Sequence, residues 1–167
     1  MTRLILLLVP LLVGSEELLR FDDFHVANDW SGRNTPLKLI RPDERMFRTQ
    51  LSNGAKERPN FAGHYRFVGW GCGSVCAAGA LIDLETGIVY PPPRGGEKGW
   101  ERWIFAGGFV DGPYFEMRPD SRLAIVRQQA KDPASEEIFY YEWVGTGFRL
   151  LTKRVEKKSS DTVRVPK

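Results

Sequence analysis

The chain has 167 residues, 42% of them hydrophobic and 27% charged, with a formal charge of +3, which suits one folded domain. Its basic surplus sits in residues 152–167, so residues 16–151 are slightly acidic and not built to hold nucleic acid. Two cysteines and two histidines supply too few ligands in one place for a structural zinc site, and nothing in the sequence asks for a cofactor.

Taken in chain order, Arg3 is followed by an apolar run over 4–13, interrupted only by Pro10, and then by the small residues Gly14 and Ser15. A cationic start, an apolar stretch of this length and small residues at its end make a secretory signal peptide, 1–15, cleaved after Ser15. The run is shorter than the roughly 20 residues of a membrane-spanning helix, so no transmembrane span remains after cleavage. A buried core helix would interleave polar residues, and no cysteine follows the run to carry a lipid. The expected compartment is periplasmic or extracellular, and the expected organisation is a β-rich domain over 16–151 followed by a basic, flexible tail over 152–167.

Residues 16–40 read as an extended approach, with apolar alternation at 37–40 predicting a short strand. One helix is predicted over 43–54, with Asp43 as its N-cap, Phe47, Leu51 and Ala55 as its apolar stripe, and Gly54 as a left-handed terminator. Strands follow at 61–70, 79–84, 88–90, 103–106, 114–118, 122–127, 138–144 and 148–151. Three hairpin turns join them, at Glu85-Thr86-Gly87, Pro119-Asp120-Ser121 and Gly145-Thr146-Gly147. The pattern describes a mainly β (α+β) fold, an antiparallel meander or partly curled sandwich with one packed helix.

The hairpins at 83–90 and 118–126, and Tyr141-Glu142-Trp143 before a glycine turn, resemble strand pairs of β-propeller blades. A chain of this length is too short for a full propeller. Asn60-Phe61-Ala62-Gly63-His64-Tyr65, followed by Gly71-Cys72-Gly73 and Cys76, resembles a group of uncharacterised exported bacterial proteins over about residues 45–150. That resemblance implies export and no specific activity.

Chemistry concentrates between Asn60 and Cys76. Cys72 and Cys76 would close a short disulfide loop in an oxidising compartment; their C-x3-C spacing differs from that of redox-active pairs. Gly69, Gly71 and Gly73 suggest a turn whose N–H groups could cradle an anion, although no phosphate-loop Lys or Ser/Thr follows. His64 is the candidate general base, with Asp83 or Asp120 to orient it and Tyr65 or Ser74 nearby. His25, close to Asp22 and Asp23, is a weaker candidate. Trp100 and Trp103, with Tyr65 and Trp70, are candidate binding aromatics, Trp100 being the most solvent-facing.

The leading expectation is an exported, non-catalytic binding protein of the cell envelope, inhibitor or immunity-like. Its partner would be another exported protein or a cell-wall polymer. One alternative is a small hydrolase using His64, an aspartate and the glycine-rich turn; another is a purely structural envelope component.

Overall fold

A computed structural model describes residues 18–28, 30–73, 76–106 and 115–158. The predicted signal peptide, Ser74 and the residues beyond 158 lie outside these. Eight strands form two antiparallel sheets: β1 (Tyr65–Gly73), β2 (Cys76–Asp83), β3 (Val89–Tyr90) and β4 (Ile104–Ala106) in the first, and β5 (Phe115–Met117), β6 (Leu123–Gln129), β7 (Ser135–Trp143) and β8 (Phe148–Lys157) in the second. The second sheet is a meander in the order β5-β6-β7-β8; in the first, β3 and β4 both pair with β2.

Successive side chains leave a strand on opposite faces, and apolar residues at both parities bury the central strands on two sides. On β1, Tyr65 and Phe67 point into the layer between the sheets with Leu81, Ala124, Val126, Phe139, Tyr141 and Trp143. Val68 and Trp70, on the opposite face of β1, join Leu51, Ala80, Ile82, Leu84, Val89 and Trp103 under the helical segment. The outer face of the second sheet, with Leu123, Ile125, Ile138 and Tyr140, is covered by Leu19, Phe21 and Phe24 of the N-terminal approach. Ser121 fastens that approach, its hydroxyl donating to the Phe21 carbonyl at 2.8 Å.

The predicted helix is two: α1 (Pro42–Met46) and α2 (Arg48–Gly54), broken at Phe47. Phe47 leaves helical geometry (φ −107°, ψ 21°), and its ring lies 4.9 Å from that of Trp70. Asp43 is not the N-cap. Arg41 is, because Pro42 occupies the first helical position, where its missing N–H costs nothing, and Glu44 reaches back to accept the Arg41 N–H at 2.9 Å. Gly54 is not a left-handed terminator either. It is the last residue of α2, without a positive φ, and a Cβ there would meet Val68 Cγ2 at 2.2 Å, so glycine is needed for close approach to β1.

Two further expectations are corrected. Residues 37–40 alternate in exposure without forming a strand: Leu37 and Leu39 pack on the core, Ile40 is exposed, and the chain is tied to the β2–β3 turn through Thr35 and Lys38 N–H groups. The C-terminal residues do not become a tail at 152, because β8 continues to Lys157 in register with β7. The three hairpin turns fall where the turn residues placed them, with Gly87 and Gly145 at positive φ.

Candidate functional site

The Asn60–Tyr65 segment is a docking turn. The Asn60 side chain clamps β1, donating to the Phe67 carbonyl at 3.0 Å and accepting the Phe67 N–H at 2.7 Å. Ala62 and Gly63 then take positive φ values of 45° and 85°, and Gly63 donates to the Pro119 carbonyl at 2.7 Å. This bond ties the first sheet to the β5–β6 turn of the second. It also sets His64 at the rim of a cleft of about 530 Å³ between the sheets.

His64 lies against Tyr65, ring centroids 4.3 Å apart, and faces Trp30 at 5.9 Å. Its Nε2 is 3.6 Å from Asp83 Oδ1 and 3.6 Å from Glu85 Oε2, too long for hydrogen bonds. Asp83 Oδ1 also accepts the backbone N–H groups of Glu85 and Thr86 at 2.9 and 3.0 Å, so this carboxylate builds the β2–β3 turn. Asp120, the other proposed orienter, sits in the β5–β6 turn, where its carbonyl accepts the Val26 N–H at 2.9 Å. Burial pushes the Tyr65 hydroxyl above its ordinary value, the Trp143 indole opposing and the charges of Asp83 and Glu85 reinforcing the rise.

Across the cleft, Glu142 on β7 is buried at 7% exposure and holds two cations. Arg122 donates to Oε1 at 2.8 Å, and Arg149 of β8 donates to Oε2. Both arginine side chains remain partly exposed, at 41% and 64%, and each guanidinium has more N–H groups than Glu142 occupies. Trp143 floors the space at 2% exposure. The lining contains no serine, threonine or cysteine that could act as a nucleophile beside His64.

The other sequence candidates go elsewhere. Trp103, expected on a binding patch, is fully buried; its Nε1 donates to Asp43 Oδ2 at 3.0 Å, the same carboxylate that faces Arg102 at 3.6 Å. Tyr65 is 9% exposed and belongs mostly to the core, and Trp70 is half-buried against Phe47. Trp100 falls in the 3-10 turn Gly99–Trp103, and its side chain lies outside the described residues. Gly69 and Gly71 do not form an anion nest, since both are in register in β1 opposite Gly79 and Ala77 and their backbones belong to the sheet. Gly73 faces Cys76 across the same hairpin. His25 bridges Ser121, while Asp22 and Asp23 both engage Arg20 instead.

Arg122, Glu142 and Arg149 were missed, yet one signal was present. Glu142 interrupts the apolar run Ile138 to Trp143, every residue of which is buried, and a carboxylate in such a run needs partners. A second hollow of about 610 Å³ beside α1 and α2 carries the exposed cations Arg45, Arg48 and Lys56, with no acidic residue in its lining to organise them. Among the described residues no group of histidines, cysteines and carboxylates is placed to hold a metal ion, and no helix is long and apolar enough to cross a membrane. No family model, curated protein or solved structure matches the chain.

Proposed function

We propose that the protein is an exported, non-catalytic binding protein of the cell envelope, whose cleft receives an anionic group of its partner. The observation that carries this reading is the pair Arg122 and Arg149 converging on the buried Glu142. A carboxylate so placed fixes two planar cations at a preset separation, which is the arrangement that reads a carboxylate through paired N–H donors. The two arginines with Glu142 keep a net positive charge, in a cleft whose lining holds no serine, threonine or cysteine. Exported proteins and cell-wall polymers both carry carboxylates that would fit it.

Export is supported by the signal-like segment at 1–15 and by the position of the cysteines. Cys72 and Cys76 flank the tip of the β1–β2 hairpin, where a disulfide would pin the loop between them. Affinity capture tests the proposal. The full chain, immobilised with its cysteines oxidised, is exposed to periplasmic and cell-wall extracts beside an Arg149→Ala variant. A partner retained by the wild type at high salt and lost by the variant is the expected result; equal retention refutes the cleft as its site. The hydrolase alternative has one observation in its favour, the 3.6 Å approach of His64 to Asp83. It predicts an activity that His64→Ala abolishes.

A further inference from the structure

The second sheet ends in an uncovered edge. Strand β8 is the last in the order β5-β6-β7-β8, and among the described residues no other strand pairs with it. The register fixes which backbone groups face outward. Lys158 donates to the Ala134 carbonyl at 2.8 Å, so the pairs Glu136–Glu156 and Ile138–Arg154 exchange hydrogen bonds, and the residues between them do not. Lys153, Val155 and Lys157 therefore turn their N–H and C=O groups away from β7.

The same stretch has a distinct surface. Lys153, Arg154 and Lys157 stand against the single acid Glu156, and Val155 is 61% exposed, with Leu150 exposed further along the strand. Lys153 pairs with Glu137 at 2.5 Å and lies 5.2 Å from the Phe139 ring centroid, so its charge is held beside the edge. We infer that β8 is a docking edge for an extended acidic segment of a partner protein, added as a further antiparallel strand with acids beside Lys153 and Lys157 and an apolar residue beside Val155. Main-chain bonds would give affinity and the cations would choose the partner. A second copy of this chain is disfavoured, since antiparallel self-pairing would set the strand's cations against one another. The surface is separate from the cleft, because none of Lys153, Val155 and Lys157 lines it.

A labelled peptide of Glu-Thr-Val-Thr repeats, which sets Glu and Val in turn along one face of the strand, followed by fluorescence anisotropy with the full chain, tests the inference. Saturable binding is expected, at least tenfold weaker for Val155→Pro, which removes an outward N–H without touching a bond to β7. Thermal unfolding of that variant should stay close to wild type. The fully N-methylated peptide, with the same charge and no amide donor, should not bind, a control that holds even if the proline variant misfolds. The matching Lys/Val peptide should also fail, and Lys153→Glu combined with Lys157→Glu should reverse the preference. Absence of binding, equal binding of the N-methylated peptide, or a concentration-dependent dimer that Val155→Pro abolishes would each overturn the proposal.

Discussion

Replacing Gly54 with alanine measures how closely α2 lies on β1. The added Cβ would meet Val68 Cγ2 at 2.2 Å and Val68 Cβ and Cγ1 at 3.3 Å. Gly54 is helical, so on an exposed helix the change would stabilise the fold by about 1 kcal/mol. Here the contact cannot be kept, and either α2 lifts or Val68 leaves its preferred rotamer. Such overpacking costs about 1–3 kcal/mol. The two effects leave a net loss of about 1 kcal/mol, or a fall of roughly 2–6 °C in Tm. Val68→Ala alone, at a half-buried position, should cost about 1 kcal/mol in lost methyl burial. In the double variant the new methyl at position 54 fills the vacated space, so the combined loss should fall short of the sum by about 1 kcal/mol or more. Urea unfolding followed by tryptophan fluorescence reads all three variants. If Gly54→Ala stabilises the protein, or the two losses add within about 0.3 kcal/mol, the close packing of α2 on β1 is refuted.

Trp103→Phe keeps most of the buried ring but removes the N–H that Asp43 accepts, and should cost about 1–2 kcal/mol by chemical unfolding. Trp103→Ala should cost about 3–5 kcal/mol, and a surface-like loss of a few tenths for either would contradict the burial of this indole. Asp132 is held below its ordinary value of 3.8 by the Ala134 N–H and the Ser135 hydroxyl, and Glu137 below 4.5 by Lys153 and Gln128. Each is depressed in the folded state, so its contribution is complete above the ordinary value and lost as pH falls through the folded one. Stability measured from pH 6 to pH 2 should therefore decline less steeply for Asp132→Asn than for the wild type; parallel curves would refute the effect. Should Cys72 and Cys76 be joined, thiol titration of the denatured chain finds no reactive sulfhydryl. Reduction of that five-residue loop should then cost about 2 kcal/mol, and two titratable thiols would remove the bridge from the account.

β1 was legible because it separates two apolar layers, with Tyr65 and Phe67 facing one cluster and Val68 and Trp70 the other. Alternation misled at Leu37 and Leu39. It tells which side is buried and not whether a neighbouring strand supplies hydrogen bonds. Trp103 was named a binding aromatic, while the acceptor that makes its burial tolerable, Asp43, lies 60 residues earlier in the chain. The end of β8 looked like a mobile tail because an edge strand accommodates a run of charges on its open side. Of the site, His64 and Asp83 were found from local sequence. Arg122, Glu142 and Arg149 enter from the start of β6, from β7 and from β8, and only strand register brings them together.

Binding without catalysis is the central claim, and the most direct test is the fate of a captured partner. The partner is incubated with wild type, His64→Ala and Arg149→Ala, its mass followed over time and its affinity measured for each. A binding protein leaves the partner's mass unchanged in every case, with affinity weakened at least tenfold by Arg149→Ala. A partner cleaved by the wild type and spared by His64→Ala would contradict that claim and make this cleft an active site.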